Sequence, residues 1–110
     1  MRWLVAGAVA GAAMAAAGGA AAQQAPGDAT AGYALAQSWC AGCHFVDQQE
    51  MRAKDAVPSF AAVAAMKSTT ELSLQAFLQT NHHNMPDWRL TRQQVDDVVA
   101  YILTLRPKAS

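Results

Sequence analysis

The chain has 110 residues, and its 8 lysine or arginine residues balance 8 aspartate or glutamate residues, so its formal net charge is zero. This length allows one small domain, which buries proportionately little surface and often needs a cofactor or a covalent staple for stability. The charges form no basic run, which argues against binding of nucleic acid. Neither sign of charge dominates, so electrostatics would steer a partner only weakly.

The first 22 residues have the layout of a secretory signal peptide. Arg2 supplies a positive start, and no charged side chain occurs from Trp3 to Ala22, where small residues form a cleavage site. An uncleaved membrane anchor is the alternative, because about 20 apolar residues can span a bilayer. Alanine and glycine dominate this run, however, and they gain little from lipid. We therefore predict cleavage after Ala22 and a periplasmic location without stable membrane insertion.

Removal of that segment leaves a flexible lead-in and one domain. The lead-in, residues 23–31, contains Pro26 and Gly27, and the domain comprises residues 32–110. Because Arg2 is lost, 7 basic residues remain against 8 acidic ones, which gives the mature side chains a net charge of −1. Free thiols are unusual in an oxidising compartment, so the two cysteines of this domain need a chemical role.

Helical spacing and capping residues predict helices and no strand. Asp28 or Thr30 suits the cap of a first helix, since their side-chain oxygens accept from exposed backbone N–H groups. Pro58 suits the first position of a short second helix. Ser68-x-x-Glu71 is a capping box that opens a third. The apolar positions of these three helices are Gly32, Leu35, Ala36, Trp39 and Cys40; Phe60, Val63, Ala64 and Met66; and Leu72, Leu74, Ala76, Phe77 and Leu78.

A closing helix follows the second capping box, Thr91-x-x-Gln94. Its apolar residues form an i, i+3, i+4, i+7 stripe, and Pro107 stops it. The stripe consists of Val95, Val98, Val99, Ile102 and Leu105. The sequence therefore predicts an all-α domain.

Both cysteines of the chain lie in one pentapeptide, Cys40-Ala41-Gly42-Cys43-His44. C-x-x-C-H is the attachment sequence of c-type haem. Thiols three positions apart can reach the two vinyl groups of one porphyrin, and the imidazole that follows falls under the iron. We therefore predict one covalently bound haem c, joined to the chain through Cys40 and Cys43.

Two other kinds of site are compatible with a cysteine pair. A thioredoxin-like redox pair requires a βαβ setting, which this chain lacks. A zinc site requires two further ligands, and His82 and His83 are available for that role.

Three further segments accompany the pentapeptide in a characteristic order. They are Pro58-Ser59-Phe60, Asn84-Met85-Pro86, and a closing helix that runs from Leu90-Thr91-Arg92 through Tyr101-Ile102-Leu103. With them, the chain from about residue 32 to residue 105 resembles a small bacterial class I cytochrome c. The resemblance implies the cytochrome c fold, in which three to five helices wrap around one haem. It also places Gly32, Tyr33 and Tyr101 where the first and last helices cross.

The resemblance further implies which residues bind the iron. His44 is the first axial ligand, and the carbonyl of Pro58 accepts a hydrogen bond from its other ring nitrogen, which fixes the ring orientation and raises its basicity. Met85 is the second axial ligand, and a His/Met pair raises the reduction potential relative to more basic ligand sets. The imidazoles of His82 and His83 remain alternative ligands close to Met85.

Other methionines are better explained by their surroundings. Met66 lies in an apolar helical stripe, where packing accounts for it. Met51 lies among charged residues on a predicted surface loop. Met85 lies in a polar loop, residues 81–87, where an apolar side chain has no evident packing role.

The remaining aromatic and acidic residues receive simple interpretations. Trp39 and Trp88 are predicted to pack around the haem. Three phenylalanines are assigned to the core, and two aspartates to a solvated face of the closing helix. These are Phe45, Phe60 and Phe77, and Asp96 and Asp97.

The predicted function is that of a periplasmic single-electron carrier, not an enzyme. Its donor would be a dehydrogenase or a quinol-oxidising complex, and its acceptor an oxidase or a reductase. One alternative is a dedicated haem c subunit of a periplasmic oxidoreductase complex. Another is a ligand-binding or peroxidase-like haem protein, which requires that Met85 leave the iron open.

Overall fold

The computed structural model describes residues 7–12, 26–48, 50–80, 85–86 and 89–107. Its four helices are α1, Ala29–Trp39; α2, Phe60–Ala65; α3, Glu71–Leu78; and α4, Arg92–Thr104. Within these ranges no β-strand is formed, and an isolated bridge between Lys54 and Val57 is the nearest approach to one. The all-α prediction is confirmed for this part of the chain.

Most of the predicted signal peptide, including its cleavage site, lies outside the described residues. Residues 7–12, which belong to it, carry no regular secondary structure. No helix in the described ranges is long and apolar enough to cross a membrane.

Helices α1 and α4 cross in close contact. Gly32 is buried there, and a Cβ atom added to it would lie 1.9 Å from the carbonyl oxygen of Asp97. Beside this contact the rings of Tyr33 and Tyr101 pack at a tilt of 49°, with 5.0 Å between their centroids. The crossing residues implied by the family resemblance therefore meet as expected.

Two of the predicted helix starts are confirmed at the level of individual hydrogen bonds. The side chain of Asp28 accepts from the backbone N–H groups of Thr30 and Ala31. At the start of α4, Thr91 and Gln94 form a reciprocal capping box, with distances of 3.1 Å and 2.9 Å between donor and acceptor.

The other two starts were predicted wrongly. Ser59, not Pro58, opens α2: its hydroxyl accepts from Ala62 N at 3.0 Å, which leaves Pro58 outside the helix. The start of α3 is capped by Thr70 with Ser73, not by Ser68 with Glu71. Ser and Thr both satisfy exposed N–H groups well at this position, so the nearer threonine replaces the predicted serine.

The core consists of one face of α4 and the residues packed on it. Its fully or nearly buried members are Val95, Val98, Val99, Tyr101 and Ile102 of α4, with Ala36, Val46, Phe60, Ala64 and Leu74 from the rest of the fold. Phe60 is thus buried as predicted. Phe45 is only half-buried, and three residues assigned to the core or to the apolar face of a helix are exposed: Leu72 by 74%, Met66 by 54% and Phe77 by 43%. Because α2 ends at Ala65, Met66 is its C-cap with an extended backbone, and it leaves the apolar stripe.

Asp96 and Asp97 are only partly exposed, and their interpretation as a solvated face was wrong. Asp97 Oδ1 accepts from the backbone N–H of Asp28 at 2.9 Å and from Gln93 Nε2 at 2.8 Å. Asp96 Oδ1 accepts from Gln75 Nε2 at 3.0 Å. The two carboxylates therefore tie α4 to the start of α1 and to α3.

Candidate functional site

The end of α1 delivers the pentapeptide, residues 40–44, as a tight turn. Cys40 is the C-cap of α1, and its N–H and that of Ala41 both donate to the carbonyl of Ala36. The carbonyl of Cys40 then accepts from Cys43 N at 3.1 Å and from His44 N at 2.9 Å. These local bonds bring the two thiols and the imidazole into one compact unit, which we call the attachment loop.

The two thiols are free and differ in exposure. Cys40 is half-buried, whereas Cys43 is exposed. Burial raises the pKa of the Cys40 thiol, and the neighbouring Cys43 raises this pKa further. Burial thus disfavours the thiolate form of Cys40, which a redox-active cysteine pair requires.

The zinc interpretation gains no support from the described part of the chain. Within it, no group of three or more histidine, cysteine, aspartate or glutamate side chains is placed to hold a metal ion. His82 and His83, the ligands that this interpretation requires, lie outside the described residues.

The imidazole of His44 is held by contacts from the start of α2. Its Nδ1 lies 2.7 Å from the carbonyl oxygen of Pro58. A carbonyl oxygen only accepts, so Nδ1 carries the ring proton in the neutral imidazole and Nε2 keeps its lone pair. The Phe60 ring packs at 5.3 Å between centroids, and Phe60 N donates to Phe45 O at 2.9 Å. The ring is thus fixed with one nitrogen available to a metal.

Cys40 and Met85 line the same cavity. Its walls are mainly apolar and come from α1, α3, α4 and the segment before α4. The lining residues are Leu35, Trp39, Cys40, Phe77, Leu78, Thr80, Met85, Pro86, Leu90 and Val98. His44 is not one of them, although it belongs to the same turn as Cys40. The exposure of Phe77 is explained here, because its ring faces this cavity instead of the core.

Sequence reasoning missed a cationic contact with the attachment loop. Lys54 Nζ donates to the carbonyl oxygen of Ala41 at 3.3 Å. Lys54 Nζ and Arg52 Cζ also lie 5.7 Å and 5.6 Å from the centroid of the Phe45 ring, within the range of cation–π attraction. Only the alternation of charged and small residues after Glu50 marks this segment in the sequence, and that pattern does not indicate a contact with the loop.

The donor atoms are those that a covalently attached haem uses. Two cysteines that form no disulfide stand three positions apart, an oriented imidazole follows them, and Met85 lines the same mainly apolar cavity as Cys40. An all-α fold with such a site defines the class of covalent haem proteins.

Comparison with known proteins specifies the family. Residues 27–102 match the family described as cytochrome C oxidase, cbb3-type, subunit III. Cytochrome c-552 of Bradyrhizobium diazoefficiens is 42% identical over 80 residues, which cover 73% of this chain and 77% of that protein. No solved structure matches the chain. The chain therefore belongs to the small monohaem c-type cytochromes, has the cytochrome c fold, and binds haem c covalently as a haem c electron carrier.

Proposed function

We propose that the protein is a periplasmic single-electron carrier whose haem is joined to Cys40 and Cys43 and bound axially by His44 and Met85. The observation that carries the proposal is the shared cavity, which Met85 and Cys40 both line. In this proposal residues 1–22 are removed on export and a short lead-in precedes the cytochrome domain. Because α1 begins at Ala29 and Asp28 N donates to Asp97, the domain starts before residue 32, the predicted boundary.

The two cysteines give a permanent attachment. Each thioether bond anchors one edge of the macrocycle to the turn at the end of α1, so repeated oxidation and reduction cannot release it. The turn is itself fixed by the bonds from Cys43 N and His44 N to Cys40 O. The bound haem supplies the one-electron redox couple.

His44 supports this couple through its fixed tautomer. The hydrogen bond from Nδ1 to Pro58 O holds the ring plane and increases the electron density at Nε2. The contact with Phe60 restricts rotation of the ring. Both effects reduce the rearrangement that the ligand undergoes when the charge of the metal changes.

Met85, the second proposed ligand, stabilises the reduced state of the iron. A thioether is a soft ligand that favours reduced iron, and a His/Met ligand pair raises the reduction potential. Pro86 follows it directly and restricts the backbone that carries the thioether. With both axial positions filled, a substrate has no access to the metal, and the protein passes electrons without catalysing a reaction of its own.

The partners follow from this role. The donor is a dehydrogenase or a quinol-oxidising complex, and the acceptor is an oxidase or a reductase. Near-balanced charge implies that association with them depends little on ionic strength.

A second candidate is a dedicated haem c subunit of an oxidoreductase complex. It is favoured by the matching family, whose description names an oxidase subunit. Gel filtration of native periplasmic extract separates the two candidates. A free carrier elutes at the size of one small domain, whereas a dedicated subunit elutes with its complex.

Extraction of the haem tests the proposed attachment. In acid acetone, the haem of the wild-type protein should stay with the polypeptide, and that of the Cys40→Ala/Cys43→Ala double variant should enter the solvent. The single variants Cys40→Ala and Cys43→Ala serve as matched controls, because each retains one thioether bond. Extraction of the wild-type haem would contradict the proposal.

A further inference from the structure

The carbonyl of Ala41 stands between the two cysteines and takes its donor from outside the attachment loop. The preceding carbonyl, that of Cys40, already accepts from Cys43 N and His44 N. The oxygen of Ala41 accepts from Lys54 Nζ at 3.3 Å, across 13 positions of sequence. Lys54 therefore reaches the middle of the segment that would hold the haem.

The position of Lys54 is set by its own backbone. Lys54 N donates to Val57 O at 2.9 Å, and Val57 N donates to Lys54 O at 2.8 Å, which closes a tight turn. Pro58, whose carbonyl orients His44, follows this turn directly. One short turn thus fixes both the ammonium near Ala41 and the carbonyl near the imidazole.

The charge of Lys54 is less compensated than that of its neighbour. Arg52 Nε lies 2.9 Å from Glu50 Oε1, and Arg52 Nη2 donates to Glu50 Oε2 at 3.0 Å, so the two charges offset each other. Among the described residues, Lys54 forms no ion pair; its ammonium donates to the Ala41 carbonyl and lies over the Phe45 ring. Lys54 is also half-buried, and salt screens a partly buried charge less than a charge at the surface.

We propose that Lys54 is a positioning residue of the haem site that also raises the reduction potential. The inference rests on the proposed function of the attachment loop. By holding the Ala41 carbonyl, the ammonium restrains the segment between the two thioether bonds. A fixed positive charge beside the haem favours the reduced state, because that state carries one positive charge less. Neutralising Lys54 therefore lowers the midpoint potential.

The test compares midpoint potentials of the haem-loaded protein and its variants. Lys54→Gln removes the charge, and Lys54→Met removes it while retaining an apolar stem against Phe45. Both should have lower midpoint potentials than the wild type, and Lys54→Arg should keep most of the wild-type value. Lys67→Gln is the matched control, because it removes the same charge at an exposed position after α2 and should leave the potential unchanged.

The outcomes separate this inference from the proposed function. Equal potentials in Lys54→Gln, Lys54→Met and Lys67→Gln, with haem covalently bound in all, would overturn the role of Lys54 alone. Loss of haem from both neutral Lys54 variants, with Lys54→Arg and Lys67→Gln loaded normally, would support the positioning role. A wild-type protein without covalent haem would instead refute the proposed attachment.

Discussion

Gly32 and Asp97 are in backbone contact where α1 crosses α4. A Cβ atom at Gly32 would lie 1.9 Å from the Asp97 carbonyl oxygen, 2.5 Å from its carbon and 3.0 Å from Tyr101 Cβ. Two of these three neighbours are backbone atoms, which cannot rotate away. The distance between the first and last helices is therefore set by the absence of a side chain at one residue.

Gly32→Ala should separate the two helices and destabilise the fold. Overpacking at a tight contact costs about 1–3 kcal/mol, and the free energy of unfolding from urea titration should fall by at least this amount. Ala34→Ser is the control, because it enlarges an exposed residue of the same helix. A Gly32→Ala variant as stable as Ala34→Ser would show that the crossing tolerates a wider spacing.

Ala56→Gly should stabilise the protein. Asp55 and Ala56 have φ values of 49° and 64° in the turn between Lys54 and Val57. An L-residue pays roughly 1–2 kcal/mol in this left-handed region, whereas glycine avoids this cost but loses about 0.5–1 kcal/mol of chain entropy. The net gain should be about 0.5–1 kcal/mol, measured as a higher urea midpoint.

A glycine control distinguishes this turn effect from a general one. Ala53→Gly introduces the same residue at an exposed neighbouring position whose φ is not positive, and it should lower the urea midpoint slightly. Equal shifts in the two variants would contradict the left-handed conformation of Ala56.

The Glu50–Arg52 pair should make stability depend on acid pH. Hydrogen bonds from the Arg52 side chain and then from its backbone lower the pKa of Glu50 from 4.5 to about 2. Because the pKa is depressed in the folded state, the stabilisation is fully present above pH 4.5 and is lost as the pH falls towards 2. An NMR titration of the Glu50 carboxyl should give this low pKa.

Arg52→Gln should move that titration back towards 4.5, because it removes the ionic hydrogen bonds. Lys67→Gln removes an exposed charge elsewhere and should leave the Glu50 titration in place. An Arg52→Gln variant with the wild-type titration would mean that Arg52 does not hold the carboxylate in solution.

Met85→Ala should open the sixth iron position and lower the reduction potential, since it removes the soft ligand that favours reduced iron. The absorbance spectrum of the oxidised protein reports this change directly. Met51→Ala is the matched control, because Met51 is exposed and does not line the cavity with Cys40. An unchanged spectrum in Met85→Ala would show that Met85 does not bind the iron. The ligand would then be His82, His83 or another methionine, or the sixth position would be open, as the peroxidase-like alternative requires.

Local chemistry made part of this fold predictable. The caps at Asp28 and Thr91 depend on side chains that bond within three residues, and such bonds can be inferred from the sequence. The start of α3 was not predicted, because Ser68 and Thr70 are both good caps and the bond from Thr70 N to the Ser73 hydroxyl is not part of the usual Glu or Gln pattern. The exposure of Phe77 was also not predicted. Helical spacing identifies an apolar face of a helix, but it does not show whether that face packs against the core or lines a cavity.

The site was predictable where it was contiguous in sequence. The spacing of the two cysteines and the histidine is enough to recognise the attachment loop in the sequence. Pro58 and Met85, which are distant in sequence, were predicted only from the family resemblance. Lys54 was missed because its contact with Ala41 depends on a turn built from Asp55 and Ala56, and neither residue is the glycine that usually signals such a turn.

A spectroelectrochemical titration of the wild-type protein shows whether it is a His44/Met85-ligated electron carrier. We expect one reversible one-electron transition. We also expect that the oxidised form shows a weak band near the long-wavelength limit of the visible range, which is typical of methionine bound to ferric iron, and that reduction removes this band. A protein without a reversible one-electron transition, or an oxidised form without this band, would contradict the assignment of a His44/Met85-ligated electron carrier.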